Sequence, residues 1–155
     1  MKYNIVDARH EHIPHLAATM RLSDEIEVWA SGGLTPTEAL TESLDCSTLK
    51  WTAELEGLPV AMFGACPLEG TPYNLGGIWL LANPEIYVNK RDFMLNCRVY
   101  LAAMHDQFEY LTNFVDVRNK PSHLWLKVLR FQAVQEVHEY GHDKVPFIQY
   151  VSKRN

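Results

Sequence analysis

The sequence predicts an α+β (mixed α/β) fold, a single central mixed sheet of about seven strands with helices on both faces. Three observations carry this. Continuous apolar runs at 60–66 and 78–82 have the length of buried strands. Phe93, Cys97, Leu101, Met104, Phe108 and Leu111 recur at steps of four, four, three, four and three, the period of one long amphipathic helix. Strand-like and helix-like segments then interleave along one chain, 1–155, with no internal repeat or low-complexity linker, so a single domain is expected.

Residues 2–8 alternate enough for a first strand, and 11–20 place Ile13, Leu16, Ala17 and Met20 at helical spacing after Pro14. Residues 24–30 form a second helix, with Ile26 and Trp29 three apart, closed by Gly32-Gly33. Thr35-Pro36-Thr37-Glu38 combines an N-cap threonine, a proline at the first helical position and a glutamate three residues after the cap. A third helix over 39–44 follows. Residues 51–55, the turn Glu56-Gly57 and residues 59–64 form a hairpin, and the Pro/Gly-rich 67–74 a loop. The run 77–82 is a central strand stopped by Asn83-Pro84. The long helix begins near Asn89, 113–117 is a strand, and 122–131 is a helix pairing Leu124 with Val128 and Trp125 with Leu129. A hairpin of 133–139 and 146–151 closes the order around Tyr140-Gly141-His142-Asp143.

Composition excludes several classes. Lys plus Arg number 14 against 19 Asp plus Glu, a net charge of −5, which argues against a phosphate-tracking surface and nucleic-acid binding. The apolar runs fall far short of the roughly 20 residues of a membrane helix, and the start of the chain turns polar before a secretory core could form. Cys46, Cys66 and Cys97 are odd in number, far apart and without a C-x-x-C. Neither a disulfide framework nor a zinc site is expected, Cys66 reads as core, and a reducing compartment is the natural setting. His10, His12 and His15 lack the H-E-x-x-H pattern and are expected as surface histidines, so no metal is assigned. The four tryptophans read as core or interface anchors.

Asp116-Val117-Arg118-Asn119, leading into Leu124-Trp125-Leu126-Lys127-Val128-Leu129-Arg130-Phe131, resembles a segment of the Gcn5-related N-acetyltransferases (GNAT) in which a strand ends, an asparagine follows and a short helix closes with Gly-Phe. Met20-Arg21, Asp24, Glu27, Gly33-Leu34-Thr35-Pro36, Phe63-Gly64, Trp79-Leu80-Leu81 and Trp125-Leu126-Lys127 together are similar to GNAT-like proteins of short-tailed bacteriophages, a group that includes internal virion proteins. The resemblance covers nearly the whole chain. It implies a GNAT-like fold with acetyl-CoA or CoA as cofactor, backbone groups of Trp79, Leu80 and Leu81 on the pantetheine arm, and Asn119 positioning the cofactor.

Family members hold the pyrophosphate on a loop, R/Q-x-x-G-x-G/A, whose amides meet the anion at a helix N-terminus. The matching residues, 87–93, contain no glycine; Asn89, Lys90 and Arg91 stand there, and the two cations would compensate. The family's tyrosine acid falls on Leu126, and the glycine of Gly-Phe on Arg130. The resemblance thus implies a degenerate acetyl-CoA site, with the cofactor reduced or lost. The protein would act as an internal virion or host-interacting protein, with phage virion proteins or a host protein as partners, in the virion or the host cytoplasm. The alternative is an active acyl-CoA-dependent N-acetyltransferase on a small amine or a protein lysine or N-terminus. A third reading is an acidic groove that captures a basic host protein. For acid–base chemistry the candidate is His123, since histidine titrates near neutrality. Asp24 and Glu27, three apart on one face of the second helix, are candidates to hold an acceptor amine, against the plainer reading of a solvated carboxylate face.

Overall fold

The computed structural model describes residues 3–155; the predicted strand start at Lys2 lies outside them. β1 (Asn4–Asp7) leads through a 3₁₀ turn (His10–His12) into α1 (Ile13–Thr19), α2 (Leu22–Gly32) and α3 (Pro36–Cys46). The hairpin β2 (Leu49–Leu55) and β3 (Leu58–Pro67) precedes β4 (Leu75–Ala82), a second 3₁₀ turn (Pro84–Tyr87) and α4 (Lys90–Gln107). The chain ends as β5 (Tyr110–Asp116), α5 (Lys120–Val128), β6 (Gln132–Tyr140) and β7 (Val145–Lys153). Among the described residues seven strands form one sheet in the order β1-β2-β3-β4-β5-β7-β6, antiparallel everywhere except between β4 and β5.

The local signals act where they stand. Thr35 Oγ1 accepts from the Glu38 N–H (3.2 Å) and the Thr35 N–H donates to Glu38 Oε1 (3.1 Å), so the capping box starts α3. Glu56 and Gly57 both take positive φ, 51° and 78°, the geometry that lets a two-residue turn join β2 to β3. In β3 Met62 faces α1 and α3 while Phe63 faces α4 and α5, and in β4 Leu81 and Leu80 divide in the same way. Burial on both faces is why these strands read as unbroken apolar runs. Among the described residues no helix is long and apolar enough to cross a membrane.

Four expectations are corrected. The long helix stops at Gln107: Phe108 turns extended (φ −121°, ψ 131°), and Leu111 is already in β5. Both side chains are buried in the core that α4 covers, so the strand prolongs the helical period by coincidence. α5 runs from Lys120, with Pro121 in its first turn, to Val128. Arg130 takes φ 64°, the left-handed C-terminal position where the family pattern has glycine, and the Phe131 N–H closes on the Leu126 carbonyl (2.9 Å). Cys46 and Cys66 are joined as a disulfide with Cα atoms 5.4 Å apart, because α3 packs on β3 and brings its last residue beside that strand's end. Cys66 is therefore not a free core thiol. His12 is buried, not a surface residue, and its Nδ1 meets Thr52 Oγ1 (2.8 Å) beneath β2.

α2 buries polar groups where a surface helix ordinarily buries apolar ones. Asp24 is 0% exposed, whereas Leu22, Ile26 and Trp29 are 68%, 40% and 49% exposed. Arg21, Asp24, Glu27 and Ser31 are turned to the sheet beside the buried Val28 and Ala30.

Candidate functional site

β4 and β5 pair only through Leu75 with Tyr110, Gly76 with Leu111 and Gly77 with Thr112; beyond Gly77 the two strands part. A Cβ on Gly76 would stand 2.7 Å from the Phe108 ring, so glycine lets the end of α4 close over the vertex. β5 stays fully paired with β7 on its other side, so the open gap is its free edge. The Asn83 N–H bonds the Val60 carbonyl (2.9 Å). Strand alternation then turns the backbone groups of Leu81 and Trp79 to β3 and those of Ile78, Leu80 and Ala82 into the gap.

α2 bridges the far end of this gap. The Arg21 N–H donates to the Ala82 carbonyl (2.9 Å), and Asp24 Oδ2 accepts from the Ala82 N–H (3.0 Å) and from Arg21 Nε (2.7 Å). Asp24 Oδ1 accepts from Asn119 Nδ2 (3.3 Å), whose own Oδ1 caps the Ser122 N–H (3.4 Å). On the β5 side Glu27 Oε1 accepts from the Asp116 N–H (2.8 Å). One helix face thus takes up the last backbone groups of both parted strands, leaving Leu80 and Ile78 as the open stretch of β4.

Two cavities of about 220 Å³ each flank the gap and share Leu80 and Trp125 as walls. The first opens between α4 and α5 and carries Arg21, Lys90 and Lys120, with no acidic residue among the described residues that line it. Lys90 begins α4 and Lys120 begins α5, so two helix N-termini face it as well. Arg21 is 7% exposed, and its Nη2 has no hydrogen-bond partner among the described residues; Nη1 reaches only the Tyr87 hydroxyl at 3.5 Å. A buried guanidinium with a spare donor, two lysines and two helix starts fit an anion such as a phosphate.

The second cavity lies under α2. Its charged side chain is Glu27, and its large walls are Trp79, Phe114, Trp125 and Tyr140. Burial pushes the Glu27 carboxyl up to about 8, and the charges of Asp24 and Asp116 add to the rise against hydrogen bonds from the Asp116 N–H and Asn119. Burial also raises Tyr140, with Glu27 adding to it. Asp116 goes the other way: although burial opposes it, Arg118 grips both its oxygens (2.7 and 3.0 Å) and holds it below the usual range. The β6–β7 turn covers the end of α2, with the His142 and Asp143 N–H groups on the Ser31 and Ala30 carbonyls (both 3.0 Å). Gly141, at φ 70°, makes that approach, since a Cβ there would fall 2.5 Å from the Ser31 oxygen.

The structure separates the residues singled out from sequence. Trp79, Leu80 and Leu81 line the acidic cavity, and Leu80 the basic one as well. Lys90 lines the basic cavity; Arg91 is exposed outside its wall, and Asn89 holds the N-cap position of α4. Glu27 reaches a cavity, whereas Asp24 and Asn119 sit beneath, engaged in the hydrogen bonds just described. His123 lines neither: its Nε2 donates to the Asp116 carbonyl (2.9 Å) and its Nδ1 accepts from the Tyr150 hydroxyl (2.7 Å), clamping α5 to β5 and β7. Leu126, at the family's tyrosine position, is fully buried. Sequence reasoning missed Lys120 and Tyr140 and gave Arg21 no role. Two signals were available: a lysine opposing the dipole at a second helix start, and the R-x-x-D-x-x-E spacing that puts residues 21, 24 and 27 on one helix face.

No protein-family model matches the chain, and no curated protein matches it in sequence. Solved structures do. An N-acetyltransferase from Staphylococcus aureus Mu50 superposes with a TM-score of 0.75 at 14% identity over 100% of both chains. A ribosomal-protein-S5-alanine acetyltransferase from Vibrio fischeri gives 0.69 at 14% over 100% of this chain and 94% of that one. An aminoglycoside N(6')acetyltransferase from Legionella pneumophila gives 0.70 at 14%, over 97% and 91%. With its parted β4 and β5 and its mixed seven-stranded sheet, the chain has the GNAT acetyltransferase fold.

Proposed function

We propose that this GNAT-fold protein is an acyl-CoA-dependent N-acyltransferase that joins a phosphate-bearing acyl donor in the basic cavity to an amine in the acidic one. The observation that carries this is the pair of oppositely charged cavities meeting at Leu80. Each neighbour named above is an acetyltransferase, one of ribosomal-protein alanine and one of an aminoglycoside. Lys90, Lys120 and the spare donor of Arg21 would hold the phosphates, and the N–H and C=O of Leu80 the amide-bearing arm. Acyl-CoA, when bound, supplies an activated thioester. Trp125 and Leu80 wall the junction from bulk water. Glu27 receives the proton that an ammonium must lose before its nitrogen can attack; a carboxyl at about 8 is well matched to that task near neutrality. The Tyr140 hydroxyl, held protonated, is the proton donor in the same cavity.

Three observations favour a second reading, a GNAT-like protein with a degenerate cofactor site; action through virion or host proteins, in the virion or host cytoplasm, rests on the sequence resemblance alone. Residues 87–93 lack glycine, Leu126 is sealed in the core, and α2 occupies both backbone groups of Ala82. Thermal melts with CoA and a turnover assay with acetyl-CoA and a panel of amines separate the two. Acyl transfer requires a melting temperature that rises with CoA near 1 mM, because a ligand in excess stabilises the native state, and amine acylation that Glu27→Gln suppresses. Stabilisation without turnover, or no response to CoA, selects the second reading.

A further inference from the structure

The acidic cavity has features that narrow the amine. Glu27 is its one charged group among the described residues that line it, so it can pair one ammonium. Both tryptophans turn their polar edge away: Trp79 Nε1 donates to Ser47 Oγ (2.7 Å) and Trp125 Nε1 to Cys97 Sγ (3.4 Å), which leaves ring carbon facing inward. Tyr140 stacks on Phe114 (5.0 Å between centroids, 12° between planes) and leans on Phe147 (4.4 Å), so this wall is rigid. Thr112 Oγ1 is committed to the Tyr150 carbonyl (2.9 Å). The cavity volume is about 220 Å³.

We propose that this cavity selects a small monoamine with an apolar, preferably aromatic, body, its ammonium paired with Glu27 and its body packed against the ring walls. This deepens the acyl-transfer reading and rests on it for the amine's role as acceptor. A second ammonium would find no second carboxylate among the described residues that line the cavity, which disfavours polyamines. The groups facing Glu27 are Asp24 on its own helix, Asp116 and its N–H on β5, Asn119 at the head of α5, and Tyr140 on β6. None of these is a cation, so the arriving ammonium brings the missing countercharge, and the carboxyl gives up its proton to solvent as it pairs.

Calorimetric titration of the intact protein at pH 7, in two buffers of different ionisation enthalpy, tests this with phenylethylamine, 2-phenylethanol and spermidine as probes. Phenylethylamine should bind with release of about one proton, and the other two at least tenfold more weakly. Glu27→Gln, of the same shape, should lose the proton release and at least tenfold in affinity; Phe114→Leu should lose the preference for an aryl over an alkyl amine while keeping the release. Equal affinity for spermidine and phenylethylamine, or unchanged proton release in Glu27→Gln, overturns the proposal. So does the absence of phenylethylamine binding up to about 10 mM, where a millimolar site would saturate. If CoA stabilises the protein but no monoamine binds, the acceptor inference falls and the acyl-transfer reading stands. If phenylethylamine binds with proton release but CoA does not, the amine site stands and the acyl-transfer reading falls.

Discussion

The two cavities have the same volume and share two walls, yet differ in almost every chemical respect. One gathers three cations, Lys90 and Lys120 at the starts of α4 and α5 and Arg21 at the start of α2; the other sets one carboxyl among four aromatic rings. Part of the difference originates in a single helix and its N-cap. Arg21 at the N-cap, Asp24 and Glu27 follow one another at steps of three along α2, so its polar face delivers a cation to the first cavity, a buried anion to the partition and a carboxyl to the second. A buried polar face on one helix thus helps to polarise the two mouths of one gap in opposite senses.

The largest effect expected is at the carboxyl. Glu27→Gln should lower kcat/KM by about 10²- to 10⁴-fold, the usual worth of a positioned general base, and abolish a rise of rate between pH 6 and 8. Its stability signature has a definite sign. The unfolded carboxyl ionises near its ordinary value of 4.5 while the folded one keeps its proton to about 8, so the native state binds more protons in that window. Stability should fall as pH rises through it, and the variant should flatten the curve in chemical denaturation.

Next is the partition. Asp24→Ala leaves Arg21 buried and unpaired and strips the Ala82 N–H and Asn119 of their acceptor. A loss of about 3–5 kcal/mol in unfolding free energy is expected, with both cavities impaired together, whereas Glu27→Gln impairs one. Reducing Cys46–Cys66, which closes a span of 20 residues and ties the end of α3 to β3, should lower stability by about 3 kcal/mol. A denaturation midpoint unmoved by dithiothreitol would contradict that. The smallest effect belongs to the basic side. Lys90→Ala and Lys120→Ala should each weaken CoA binding about tenfold, the worth of one charge-assisted hydrogen bond of roughly 1.5 kcal/mol, leaving amine binding intact.

Features written in adjacent residues were legible in the sequence. The Thr35 capping box, the Glu56-Gly57 turn and the two-sided burial of β3 and β4 follow from spacing and composition, and the order of elements led to the fold. What was hidden depends on residues brought together across the sheet. Ile26 and Trp29 carried the helical spacing of α2 and Trp29 read as a core or interface anchor, but α2 spans a gap whose free backbone groups need polar partners, so Asp24 went in and the tryptophan stayed half exposed. Cys46 and Cys66 became neighbours only through the packing of α3 on β3. His123 carried the right chemistry for catalysis but is used as a clamp, which no local pattern distinguishes.

The central claim, two half-sites of opposite charge on one gap, is tested most directly by crossed titration of CoA and phenylethylamine against the charge reversals Lys90→Glu with Lys120→Glu and against Glu27→Gln. The account predicts that the reversal removes CoA binding and spares the amine, while Glu27→Gln removes the amine and spares CoA. Loss of both ligands in either folded variant, or of neither, would contradict it.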